Sequence, residues 1–311
     1  MTPDISIIIP ARNEGLRLAE TIRGIARARA TKARLEFVIA DDQSSDDTEG
    51  HLRRAAAELL REPRIDIKVS RLDERLGVPG SRNRAAALAS AEILFITDAH
   101  VRFVEGWDRA VLDLIKPDCI LAGAITEENT KFVGYGCRLV VPFMGTYWNR
   151  APMEKPAEVQ IAACPATVLQ RALFQKLGGY DPGMCLYGAA EPEFSVRAWL
   201  HGAKILAIPQ LKVQHRFKPK AERQAFIGEV RPFMVHNSIR FGLLYLSEFG
   251  SLQMLRYYAR KFPNLFEPAM KMVAASDVWQ RRAALERQHK HPFTWFVRHF
   301  GLKNSIGGEV L

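Results

Sequence analysis

Hydrophobic positions in the first hundred residues alternate between two periods. Short apolar runs rich in β-branched residues predict strands: "ISIIIP" at 5–10, "LEFVIADD" at 35–42, "IDIKVS" at 65–70 and "EILFITD" at 92–98. Between the first two, "EGLRLAETIRGIARAR" (14–29) sets Leu16, Leu18, Ile22 and Ile25 at helical spacing. Two more helices are predicted over "DDTEGHLRRAAAELLR" (46–61) and "GSRNRAAALASA" (80–91), with Ser44, Ser45 and Asp46 as caps for the former. Strand–helix alternation with helices of this length implies right-handed crossovers and a parallel sheet. Ligands of such sheets sit beyond the carboxyl ends of the strands.

From Cys119 the pattern is mixed. "CILAGAIT" and "EVQIAACPATVL" read as strand-like pieces around the aromatic-rich "VVPFMGTYWNRAPMEKPAE". A helix is predicted over 169–177, then a Gly–Gly turn in "KLGGYDPGM", and a helix in "AEPEFSVRAWLHG" that buries Phe194, Val196 and Trp199. "KILAIPQLKVQHRF" (204–217) predicts two short strands separated by Pro209. Beyond Lys218 the chain reads as helical, basic and aromatic.

Composition narrows the class. With 311 residues, 48% of them hydrophobic, the chain supports one large α/β domain with an appendage, or two small domains. No run approaches the roughly 18 apolar residues that span a bilayer. "MTPDISIIIPARNEG" has neither a basic n-region nor a small-residue cleavage site, so the expectation is a soluble, cytoplasmic protein. The four cysteines are far apart with no C-x-x-C pair, which argues for reduced thiols over zinc knuckles or disulfides. Of the net charge of +10, nearly all lies in residues 216–311, which hold 16 Lys and Arg against 7 Asp and Glu. A near-neutral domain with a basic tail argues against nucleic acid as a partner.

Candidate chemistry gathers where the strands end. The first runs into Ala11, Arg12, Asn13 and Glu14, the second into Asp41 and Asp42, the fourth into Asp98, Ala99 and His100. One such carboxylate is a turn former or a helix cap; three clusters on one sheet edge point to a site. Asp98 offers a hard oxygen, and His100 an imidazole on the same side of an extended segment. Neither G-x-G-x-x-G nor G-x-x-x-x-G-K-[ST] occurs, so dinucleotide and P-loop sites are unsupported.

In chain order, "SIIIPARNEG", "FVIADDQSSDDT", "SRNRAAALASAEILFITDAH", "LGGYDPGM" and "GAAEPEFSVRAWLHGAKI" resemble a nucleotide-sugar-dependent glycosyltransferase of the GT-A fold, family 2-like. The Asp-x-His of 98–100, "VQHRF" and "HNSIRFGLLYLSE" are similar to polypeptide N-acetylgalactosaminyltransferases, and the resemblance spans about residues 5–248. It implies a Rossmann-like α/β fold with a mainly parallel central sheet plus a C-terminal helical extension. Residues 1–217 then form the catalytic domain, with a nucleotide half of about 1–105 and an acceptor half of about 106–217, and 218–311 form the extension.

The implied activity is transfer of a sugar from a UDP-sugar to a peptide, glycan or lipid-linked acceptor. Asp98, His100 and, by the family's pattern, His215 are the implied metal ligands, a mixed carboxylate and imidazole set that suits Mn²⁺, or Mg²⁺. Ala11, Glu14, Asp41, Asp42, Arg82, Asp98 and Ala99 fall at nucleotide-binding positions. An Asp accepting from a pyrimidine N3–H favours uridine, and Arg82 would lie along the diphosphate. Glu14 is either a ribose contact or a helix cap.

Glu191 falls at the general-base position of inverting members, with Glu193 at the next acidic one. Retaining N-acetylgalactosaminyltransferases carry an amide at that base position, so Glu191 favours inversion. Asp-x-His and "HNSIR" favour the alternative, a retaining transferase to Ser or Thr of a peptide. Pro192 leaves a third role for Glu191, a helix-start carboxylate on the dipole. A nucleotide-sugar-binding protein without turnover is the remaining alternative. Trp148 and Tyr187 are either sugar-stacking or loop-anchoring rings. The tail is read as acceptor-binding helices, an oligomerisation surface, or a peripheral membrane contact through Trp295, Phe296, Phe300 and Leu302.

Overall fold

The computed structural model describes residues 2–306 and 310. The alternation of the first hundred residues forms as β1 (Ile5–Ala11), α1 (Leu16–Arg27), β2 (Leu35–Asp41), α2 (Thr48–Leu59), β3 (Ile65–Arg71), α3 (Gly77–Leu88) and β4 (Ile93–Ile96). β5 (Val101–Phe103), α4 (Trp107–Leu114), β6 (Cys119–Thr126), β7 (Val133–Tyr135), β8 (Cys137–Val140), β9 (Gly145–Trp148), β10 (Ala157–Glu158) and β11 (Thr167–Gln170) follow. Then come α5 (Arg171–Lys176), α6 (Ala190–Leu200), β12 (Lys204–His215) and five helices: α7 (Lys220–Tyr245), α8 (Glu248–Lys261), α9 (Pro263–Ala274), α10 (Val278–Gln288) and α11 (Phe293–His299).

The main sheet runs in the order β10-β12-β6-β11-β4-β1-β2-β3. β4, β1, β2 and β3 are mutually parallel, as are β6 and β12, while β11 lies antiparallel between β4 and β6. Side chains alternate across it with period two. Ile7, Ile9, Phe37, Ile39 and Phe95 pack under α1, α2 and α4. Ile8, Val38, Leu94 and Ile96 pack under α3, α6 and the C-terminal helices, which share this core through Phe241, Leu244, Met254 and Phe296. Burial on both faces explains why these strands read as unbroken apolar runs.

Three local expectations give way to tertiary context. The helix expected over 169–177 is only Arg171–Lys176, because Thr167–Gln170 pairs with β4 on one side and β6 on the other. Pro209 does not split the strand around it; β12 is continuous, and its register on β6 shifts between Ile208 and Lys212, a bulge that absorbs the missing N–H. The aromatic stretch proposed for a membrane surface turns inward. Phe296 is fully buried, and Trp295 and Phe300 pack around Trp199. Among the described residues no helix is long and apolar enough to cross a membrane.

Candidate active site

The parallel strands β1, β2 and β4 all end at one edge, and the loops leaving them wall a cavity of about 570 Å³. Glu14, Asp42, Asp98, His100, Glu191 and His215 all contribute to its lining, so the convergence expected at the strand ends is realised. Residues 12–15 are pinned to the loop after β2. Arg12 donates to the carbonyls of Asp42 and Gln43 at 2.7 and 2.9 Å, and the N–H groups of Glu14 and Gly15 donate to Thr48 Oγ1 at 3.0 and 2.8 Å.

Asp98, His100 and His215 each offer one ligand atom within 4.8 Å of the others. β12 supplies the third member, because His215 pairs with Val101 immediately after His100. The two imidazoles lie 4.9 Å apart by ring centroid, and Phe217 packs edge-on against His215 at 4.4 Å. His215 Nε2 stands 3.5 Å from Asp98 Oδ2, while its Nδ1 is buried without a hydrogen-bond partner among the described residues. Burial by itself raises the Asp98 pKa, but the His215 hydrogen bond and the charges of Arg82, His215 and His100 outweigh it, and the carboxyl is held well below its usual range. A charged carboxylate with two imidazoles at this spacing is a fit donor set for a divalent ion.

Glu14 has a role that neither of its expected readings named. Both its carboxylate oxygens lie 3.1 Å from His100 Nδ1, which fixes that ring and turns Nε2 away from Glu14. Carboxylates orient metal-binding histidines in this way. Arg82 is buried, at 2% exposure. Its Nη2 donates to Asp98 at 3.1 Å and its Nη1 to Glu191 Oε1 at 2.6 Å, so one guanidinium ties the metal-side carboxylate to the candidate base.

The two adjacent acids after β2 separate. Asp42 lines the cavity and accepts from the N–H groups of Leu76 and Gly77 at 2.7 and 2.9 Å. Asp41 lies outside the lining, committed to Ser44 N–H and Arg71. Asp46 accepts from Thr48 N–H at 3.0 Å from one position before the helix N-cap, which is Asp47 rather than Ser44, Ser45 or Asp46 and makes no side-chain capping bond. Ala11 and Ala99 line the floor.

Glu191 occupies the first turn of α6 with a partly exposed carboxylate. Glu193, one step on, is fully buried. It is bonded at both oxygens by Arg197 and accepts from Tyr245 Oη at 2.7 Å, so it is structural. Trp148 and Tyr187 stand at the cavity wall, and each packs edge-on against a neighbouring ring, Trp148 on Phe132 and Tyr187 on Phe226. His236 does not line it; its neighbour Asn237 holds the loop that carries Tyr187, bonding Cys185, Tyr187 and Gly188.

Sequence reading missed Gly77, Ser81, Lys218 and Arg223 in the lining. Gly77, at φ +70°, lies where a Cβ would fall 2.1 Å from the Leu186 Cα, so only glycine fits. Lys218 and Arg223 belong to the basic run "KPKAER", which begins three residues after His215 and had been counted with the tail.

The fold and this strand-end cluster define a GT-A glycosyltransferase. Residues 6–187, more than half of the chain, match the family model described as Glycosyl transferase family 2, and the chain belongs to that family. Polypeptide N-acetylgalactosaminyltransferase 5 of Caenorhabditis elegans is 25% identical over 99% of this chain and 50% of its own length. The chain thus spans about half the length of the curated relatives it matches. Among solved structures, GalNAc-T7 with UDP, GalNAc and Mn²⁺ superposes with a TM-score of 0.74 at 20% identity, covering 96% of this chain and 57% of that one. A mannosyltransferase from Pyrobaculum calidifontis, in complex with GDP-Man and Mn²⁺, gives 0.54 at 20% identity, covering 97% and 80%.

Proposed function

We propose that the chain transfers a sugar from a UDP-sugar to an acceptor hydroxyl, with inversion at the anomeric carbon and a divalent cation, Mn²⁺ or Mg²⁺, as cofactor. The observation that carries this reading is the convergence of Asp98, His100 and His215 in one cavity with Glu191. Those three residues would hold the cation, which would supply positive charge to offset what gathers on the diphosphate as the glycosidic bond breaks. Glu14 keeps the His100 ring in register for that task. Lys218 and Arg223 add positive potential on the donor side of the cavity. The Asp42 oxygens retain lone pairs for a pyrimidine N3–H beside their two backbone bonds, whereas Asp41 serves the loop. Ala11 and Ala99 give the donor backbone close at hand.

Arg82 fixes Glu191 through Oε1 and leaves Oε2 to take the acceptor proton. Manganese and UDP are supported by the GalNAc-T7 complex, which carries both. That likeness, with the 25% identical relative, also favours the second reading, retaining transfer to Ser or Thr of a peptide. The test is calorimetric binding of UDP with and without Mn²⁺, then NMR of the anomeric proton of the product. Mn²⁺-dependent UDP binding and an inverted product support the reading. A retained product moves the assignment to the second one, and UDP binding indifferent to metal overturns both.

A further inference from the structure

A second cavity of about 580 Å³ adjoins the first, and Trp148, Cys164, Tyr187, Glu191 and Ile227 wall both. Its remaining walls differ in kind. The β8–β9 hairpin contributes Phe143 and Met144, α7 contributes Met234 and Val235, and the C-terminal helices contribute Tyr258 and Phe262. Besides Glu191 at the junction, Arg231, a solvent-exposed residue at the rim, is the one charged side chain of this lining among the described residues.

We propose that this cavity takes the acceptor, and that the acceptor is a compact alcohol or phenol with an apolar body and an anionic group that meets Arg231. The inference rests on the transferase reading above and adds the acceptor's chemistry to it. Among the described residues Glu191 is the only carboxylate that lines both cavities, so a hydroxyl presented from the apolar side reaches it while the donor occupies the metal side. In the transfer the acceptor O–H gives its proton to Glu191 and its oxygen bonds the anomeric carbon. The bond from that carbon to the diphosphate breaks, its electron pair leaving with UDP. The volume lies in the range of sites that enclose one small molecule. An extended peptide would instead leave its backbone N–H and C=O groups against Phe143, Met144, Met234 and Phe262, with few partners for them.

The experiment supplies the chain with Mn²⁺, a panel of UDP-sugars and three acceptor probes: 4-hydroxyphenylpropionate, tyramine and a Ser/Thr peptide. UDP release is read with and without each acceptor. The anionic phenol is expected to exceed its cationic counterpart at least tenfold in kcat/KM and to exceed the peptide by more. Arg231→Glu is expected to shrink the anion-to-cation ratio at least tenfold, a ratio independent of how much of the variant folds. Transfer to the peptide in preference to both phenols overturns the inference and leaves the transferase reading standing, as does an unchanged ratio in the variant. No UDP release from any donor, with or without acceptor, overturns the reading beneath it.

Discussion

The two cavities that meet at Glu191 are built in opposite ways. The metal-side cavity draws its chemistry from the ends of adjacent parallel strands, and its charges are already engaged with one another: Glu14 with His100, Arg82 with Asp98 and Glu191, Asp98 with His215. The second is assembled from hairpin, loop and helix segments spread between Cys137 and Phe262; its lining is mainly apolar, and among the described residues its charged side chains are Arg231 and Glu191. Pre-paired charge suits a site whose ligand is ionic, because a bound group exchanges partners without a fresh desolvation cost. An apolar wall gains by excluding water and selects for shape and hydrophobicity, leaving charge selection to Arg231. On the proposed reading, donor recognition and acceptor recognition are thus carried by different physics on either side of one carboxylate.

Substitutions on the metal side break that contrast most strongly. Asp98→Ala or His215→Ala is expected to abolish Mn²⁺-dependent UDP binding in calorimetry, and unchanged binding in both variants would sink the ligand assignment. Glu191→Gln keeps UDP binding within a few-fold while cutting transfer by about 10²–10⁴, the range of general base catalysis. Transfer within about threefold of the parent removes the base role. Between the cavities and the helices behind them, Asp181→Ala leaves Arg240 buried and short of its two-point partner, at a cost of about 3–5 kcal/mol in chemical denaturation. Glu14→Gln, which loosens His100 without removing a ligand, weakens Mn²⁺ affinity by about 10–100-fold in titration. A cap role for Glu14 predicts no change in metal affinity.

The smallest effect is one of pH. Burial, with the charges of His201 and Arg197, pushes His289 down to about 4. The unfolded chain therefore binds the proton that the folded chain refuses. Stability is fully present above the ordinary histidine range and falls as pH drops from about 6.5 towards that lower value. Thermal melting across this window, in the parent and in His289→Gln, checks it: the variant's melting temperature varies less with pH.

How much of this was legible in the chain follows the same divide. β1, β2 and β4 announced themselves because both faces are buried, and their polar ends marked the site because consecutive parallel strands deliver their carboxyl ends to one edge. Asp98, His100 and Asp42 could be read that way from within the first hundred residues. The split between Asp41 and Asp42 could not. Asp41 still pairs in register with Arg71 as part of β2, and the chain turns only after it. Nothing local joins Glu14 to His100, 86 residues apart. The continuity of β12 past Pro209 is decided by β6, its partner. The second cavity left no motif of its own, since its lining is drawn from a hairpin, a loop and helices far apart in sequence, mostly through ordinary apolar residues.

The loop carrying Tyr187 has a kinetic consequence. Asn237 grips it from one side, while on the other Val78 N–H donates to Leu186 O at 2.8 Å, with Gly77 closing the backbone contact. A segment stitched along both margins does not swing as a flap. On the proposed transferase reading, turnover is then not timed by this loop opening, and UDP leaves against the pull of Lys218 and Arg223 in the cavity lining. Raising ionic strength should quicken that departure.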